Sequence, residues 1–375
     1  MRNRILITLL ILLVIPIVST AAEYNADDYS EYLKQFDTSS FTDVLSKDTR
    51  TVLKELGIDD FNYENIGSLS FEDFFDIVKN IIYSQIKSPL KGAASLVAFI
   101  IISSFISSVK VDDESVNGAY STFSAVVISI ILIYQISDTI SVATASLKIA
   151  SDYIYAFVPV FAMILVTSGS TAAAASTNTL LLLLAQGLSV ISANVLMPVV
   201  NCFLALGICS GLRQELNLHK LLTGLKNIIT KSIAVLSGAF VSILSLKTTV
   251  ASKADILGIR SVRFVINSVV PVIGSTISEG LLSIQSYSSL IKSTVGVVGI
   301  IAIVLTFLPS VIQIVLWRIV LGCCETVSDI FNDTSVSATL KAFKDAMLLI
   351  NVIIILSMVT TIISFGILIA ARGAS

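Results

Sequence analysis

Apolar runs separated by short polar stretches organise the chain, and three zones differ in how those runs are built. At the start, Arg2 and Arg4 precede the apolar run Ile5–Val18, which ends in Ser19-Thr20-Ala21-Ala22. Basic, apolar, then small residues is the order of a cleavable signal peptide, expected here over 1–22. Residues 23–88 alternate differently. Tyr29, Tyr32, Leu33 and Phe36 recur at helical spacing among acids, and Leu56-Gly57 predicts a helix end. A second helical pattern runs through Phe71, Phe74, Phe75, Ile77, Val78, Ile81, Ile82 and Ile86, with Ser70 as its cap. This predicts a small acidic extracytoplasmic helical segment, whose last helix lies on the membrane surface or packs against its own domain.

From residue 89 the runs approach the roughly 20 apolar residues that cross hydrocarbon. First membrane helices are expected over 89–151, at Leu90–Ile106 and Phe123–Ile136, with Ser141–Ser151 at the interface. A Pro/Gly-interrupted unit follows over 152–212, with spans near Tyr153–Val166, Leu180–Val190 and Leu196–Ile208. Residues 213–263 read as a basic amphipathic linker carrying a short apolar segment, Ile233–Leu246. Basic flanks on both sides of that segment conflict with a simple crossing, so it is re-entrant, tightly buried or a local exception to the positive-inside rule. A second interrupted unit occupies 264–324, a mixed loop 325–345, and the last span and tail 346–375. The predicted fold is an all-α polytopic membrane protein with about seven spans after the signal peptide.

The two interrupted units resemble each other. Pro159 is followed by Gly169-Ser170-Thr171 and later by Pro198; Pro271 is followed by Gly274-Ser275-Thr276 and later by Pro309. The proline separations are 39 and 38 residues. Paired interruptions of this kind point to a transporter-like interior, because freed backbone groups must be buried in protein or line a watered cavity. Chance likeness in a biased composition is the competing explanation. The candidate passage or interruption positions are Pro159, Gly169, Ser170, Pro198, Pro271, Gly274, Ser275, Glu279 and Pro309.

Composition sharpens the class. Mean hydropathy is +0.91, and only 13% of the 375 residues are charged, against about 25% in soluble domains. Between Glu23 and Ile86 there are 14 acidic and 5 basic residues, which leaves nothing to oppose export of that segment. Cys202, Cys209, Cys323 and Cys324 lie in or beside apolar segments and read as small buried hydrophobes. His219 is the single histidine, beside Lys220. No zinc-ligand cluster, phosphate-cradling loop or nucleophile elbow is present in the sequence, so neither an enzyme nor a cofactor or metal is expected. Asp152 and Glu279 are acids close to apolar segments; an ion or proton role competes with an interfacial one. Arg318 is expected to snorkel, with Trp317 in the interfacial belt.

Three stretches carry a resemblance: Tyr153–Thr171 (YIYAFVPVFAMILVTSGST), Asn201–Gly211 (NCFLALGICSG) and Trp317–Ile330 (WRIVLGCCETVSDI). With the signal, the acidic exported segment and the Cys323-Cys324 pair, the chain resembles the stage III sporulation protein AE family over nearly its whole mature length. That resemblance implies a multi-pass protein of the mother-cell membrane surrounding the forespore of an endospore former. It implies partners among the other proteins of the stage III sporulation A operon and, through them, the forespore partner protein Q, besides membrane lipid and without nucleic acid. The implied function is a membrane core component of a mother cell–forespore channel or secretion-like complex, needed for endospore formation and late forespore gene expression. The family supplies no catalytic residues. Two alternatives stand beside it: an autonomous secondary transporter of a small solute or ion, and a structural scaffold that recruits ring-forming partners.

Overall fold

The computed structural model describes residues 26–61, 65–66, 69, 71–108, 114–167, 191–212, 218, 220–240, 242–243, 274–331 and 333–370, with the backbone alone over 274–289. The expected signal peptide (1–22), the spans at 180–190 and 244–246, and Gly169, Ser170, His219 and Pro271 lie outside the described residues. So does the small-residue tract of the first repeat unit.

Every described element is helical. Three short helices open the chain: α1 (Ala26–Leu33), α2 (Ser39–Thr42) and α3 (Lys47–Glu55). Ser46 caps α3 by accepting the Thr49 N–H at 3.1 Å. Gly57, at φ +65°, ends it. The bonds Ile58 N–H to Leu53 O and Gly57 N–H to Lys54 O form a Schellman closure, with Leu53 and Ile58 both buried. The Leu56-Gly57 stop read from the sequence is therefore a helix end.

Helix α4 (Phe71–Gln85) meets α5 (Lys87–Ser108) at a bend on Ile86. Pro89 sits in the first turn of α5, where its missing N–H costs nothing. α5 pairs antiparallel with α6 (Glu114–Thr167). The Ser103 hydroxyl meets that of Ser124 at 2.9 Å, Tyr120 donates to the Ser103 carbonyl at 2.7 Å, and Gln135 Nε2 donates to Ser95 Oγ at 2.8 Å. A π-turn (Ser192–Leu196) leads into α7 (Met197–Leu212). A helix over 220–240, α8, follows. The last two helices, α9 (Gly274–Ile330) and α10 (Thr334–Ala370), form a second antiparallel hairpin. Its turn is locked by the Ser328 hydroxyl on the Asp333 carbonyl and by Asp333 Oδ1, which accepts the Val336 N–H and caps α10.

Four helices among the described residues are long and apolar enough to cross a membrane: Glu72–Phe105, Gly118–Thr167, Leu290–Ile330 and Thr334–Ile363. The expectation of about seven spans is corrected to that extent. The segments 123–136 and 153–166 lie on one unbroken helix, as do 295–308 and 311–320. The breaks expected at Pro159 and Pro309 do not occur, since both prolines lie inside helices. An interior proline costs about 3 kcal/mol. Pro159 stands on the exposed face of α6, while Tyr153, Phe157 and Phe161 are buried on the opposite face. Each such side chain contributes about 1.5–3 kcal/mol, enough to hold the helix through the defect. Just before Pro198 the Met197 N–H reaches back to Ser192 O, five residues away, in a single π-turn.

With 54 and 57 residues, α6 and α9 far exceed a membrane crossing. At 1.5 Å per residue each is about 80 Å long, against about 30 Å of hydrocarbon.

Candidate functional site

Two polar features on α6 stand out from an otherwise apolar bundle. One is internal. Gly92 of α5 lies against both the Trp317 ring of α9 and Gln135 Oε1 of α6, so tightly that a Cβ there would overlap each. One turn along α6 from Gln135 is Thr139; one turn back along α9 from Trp317 is Gln313. Farther along the same seam, the Ser146 and Ser310 hydroxyls bond at 2.6 Å, and Ser146 donates to the Val142 carbonyl at 3.0 Å. The α9–α10 register, with Gly299 against Phe365 and Gly322 against Lys344, sets Asn351 level with Gln313.

Trp317, Thr139, Gln313 and Asn351 are all buried, at 0%, 0%, 7% and 5% exposure. Their polar atoms Nε1, Oγ1, Oε1 and Oδ1, and Gln135 Oε1, have no protein hydrogen-bond partner. Leaving one such group unsatisfied costs about 1–3 kcal/mol. Five together would consume a sum comparable to the whole stability of a domain, about 5–15 kcal/mol. A bridging water costs about 0–2 kcal/mol to immobilise.

The second feature is external. The positions Phe123, Val126, Ile130, Tyr134, Ser137, Asp138, Ser141, Ala145, Lys148, Asp152, Tyr155, Met163 and Val166 follow helical spacing along one face of α6, and all are exposed. Its first part is apolar, with Phe123 63% and Tyr134 84% exposed. Its middle, residues 137–152, is small or charged over about 22 Å. Its last part is apolar again, with Tyr155 60% and Met163 54% exposed. Apolar ends of this kind suit lipid or a partner protein, and the polar middle suits water.

Around these features the bundle is closed by small residues and ion pairs. Gly207 and Gly211 of α7 let its backbone approach Ala342, Thr339 and Ser335 of α10. Lys226 of α8 meets Asp345 of α10 at 2.6 Å, and Lys344 pairs with Glu325 across the α9–α10 hairpin. Burial pushes the Asp333 carboxyl at the hairpin turn above its ordinary value, against the lowering effect of the Val336 N–H. At the far end Tyr153, Phe157 and Phe161 stack along α6, and Phe157 meets Phe365 at 4.5 Å between centroids.

The sequence-derived positions are spread over this bundle rather than gathered. Pro159 lies on the exposed face of α6, Pro198 at the start of α7, and Pro309 inside α9 next to Ser310. Gly274 begins α9, and Ser275 and Glu279 fall in its first turns. Trp317 is fully buried inside the bundle, where Gly92 leaves room for its ring. Sequence reasoning missed Thr139, Gln313, Asn351 and the buried Lys292, each a single polar residue in an apolar run. For Thr139 and Gln313 the available signal was their place one helical turn from Gln135 and Trp317. Among the described residues no group of His, Cys, Asp and Glu could hold a metal ion.

The helices define a multi-pass α-helical membrane protein. The family model for stage III sporulation protein AE matches residues 57–372, and the chain belongs to that family of sporulation proteins. It is similar to the stage III sporulation protein AE of Bacillus subtilis (strain 168), 25% identical over 182 residues, which cover 48% of this chain and 45% of that one. The match thus spans about half the length of the relative. No solved structure matches the chain.

Proposed function

We propose that this chain is the membrane core of the complex that joins the mother cell to the forespore, a channel or secretion-like assembly required for endospore formation and late forespore gene expression. Its partners in this reading are the other proteins of the stage III sporulation A operon and, through them, the forespore partner protein Q. Its place is the mother-cell membrane surrounding the forespore. The observation that carries the reading is the exposed face of α6, which turns from apolar to polar and back along one unbroken helix. Within hydrocarbon a stripe such as Asp138, Ser141, Lys148 and Asp152 on an outer face would be costly. An assembly that holds water against that stripe removes the cost, and the face then lines or borders the passage.

Replacing Asp138, Ser141, Lys148 and Asp152 together by leucine tests this. The reading expects normal membrane insertion and protein level with loss of late forespore reporter expression and of heat-resistant spores. Full sporulation with the apolar stripe would overturn it.

A further inference from the structure

We propose that the seam where the α5–α6 hairpin meets the α9–α10 hairpin is a water-binding site inside the membrane-embedded bundle. Its walls are Gln135 and Thr139 of α6, Gln313 and Trp317 of α9, and Asn351 of α10. Four of these side chains are at least nine-tenths buried, and all five present a polar atom with no protein partner. Isolated orphans of this kind are rare in folded proteins, and five at one level of one bundle define a site.

The chemistry of the set selects water over an ion or an acid. The indole Nε1–H donates only, the three side-chain carbonyl oxygens accept, and the Thr139 hydroxyl does both. No carboxylate or ammonium belongs to the set. The benzo edge of Trp317 and Gln135 Oε1 converge on Gly92, and neither the indole Nε1–H nor the side-chain carbonyl oxygens of the set have a protein partner. A molecule that accepts from the indole and donates to a carbonyl completes both, and water is the smallest that does so. The same face continues to the Ser146–Ser310 pair, so the site sits at one end of a polar seam between the hairpins. Gly92 and its close packing close the other end.

Trp317 is the single tryptophan of the chain, which makes it a direct reporter. The full-length protein, labelled with 15N-indole tryptophan in lipid nanodiscs, gives one indole N–H resonance. The proposal expects an exchange cross-peak between that proton and water, together with little quenching by acrylamide, which is too large for the site. In Thr139→Val with Gln313→Leu the exchange should slow by about tenfold or more, the change expected from one lost bridging bond. An indole proton in the unsubstituted protein that resists exchange with deuterated solvent for hours would overturn the proposal, whatever the double variant does. Efficient acrylamide quenching would also overturn it, since the indole would then face bulk solvent. Because the measurement uses the chain alone, failure of the assembly reading leaves its outcome unchanged.

Discussion

The Trp317 ring occupies the space that a Cβ on Gly92 would need, so the largest side chain of α9 is seated by the smallest residue of α5. This contact fixes how the two helical hairpins approach, and it is the tightest point of the polar seam. Gly92→Ala should destabilise the protein by about 1–3 kcal/mol through overpacking. Thermal unfolding in detergent, followed by size-exclusion profile, reads the loss. Trp317→Leu in the same chain should recover part of it. An additive double variant would show that the two residues do not share one space.

A similar close approach holds α7 to α10. Gly211→Leu would drive a side chain into Thr339 and Ser335, and Gly207→Leu into Ala342. Each should detach α7, so that engineered cysteines at Val200 and Leu340, both buried, lose protection together. Wild-type stability in either variant would mean that α7 does not pack through its glycines.

Lys226 and Asp345 tie α8 to α10 with side chains 30% and 26% exposed. Such a half-exposed pair contributes at most about 1 kcal/mol and weakens with salt. Lys226→Ala should therefore cost little stability at high salt and more at low salt. Cysteines at the two positions should form a disulfide readily. Failure to crosslink under oxidising conditions would separate α8 from α10.

Asp333 gives a pH signature. Its folded carboxyl titrates above the unfolded value of 3.8 because it is buried. The folded state therefore binds the proton more tightly, and stability falls as pH rises from the unfolded value through the folded one. Asp333→Asn keeps the cap on α10 and removes that dependence. Unfolding curves between acid and neutral pH should be flatter in the variant, with equal or greater stability near neutrality. An unchanged pH dependence would assign it to another group.

The class of this protein was legible because its runs of Ile, Leu, Val and Ala are too long for soluble helices, and the Leu56-Gly57 stop was legible because a Schellman closure has a local signature. The number of helices was not. Pro159 and Pro309 look like breaks to a local reading, yet burial of Phe157 and Phe161 beside the first and of Phe307 and Ile314 beside the second outweighs one missing hydrogen bond. The seam was illegible for a related reason. In the sequence Gln135 is a lone polar residue in an apolar run, and only the hairpin register brings it beside Trp317 and Gly92. The burial of Trp317 was illegible too, because only the space beside Gly92 takes its ring into the bundle.

The central claim is that the outer face of α6 meets water in its middle and an apolar environment at its ends. Single cysteines at Val126, Ile130, Ser141, Ala145, Lys148 and Met163, placed in a cysteine-free background in sporulating cells, test it with a hydrophilic maleimide. The account predicts labelling at 141, 145 and 148 and protection at 126, 130 and 163. Protection along the whole face, or uniform labelling of it, would contradict the account.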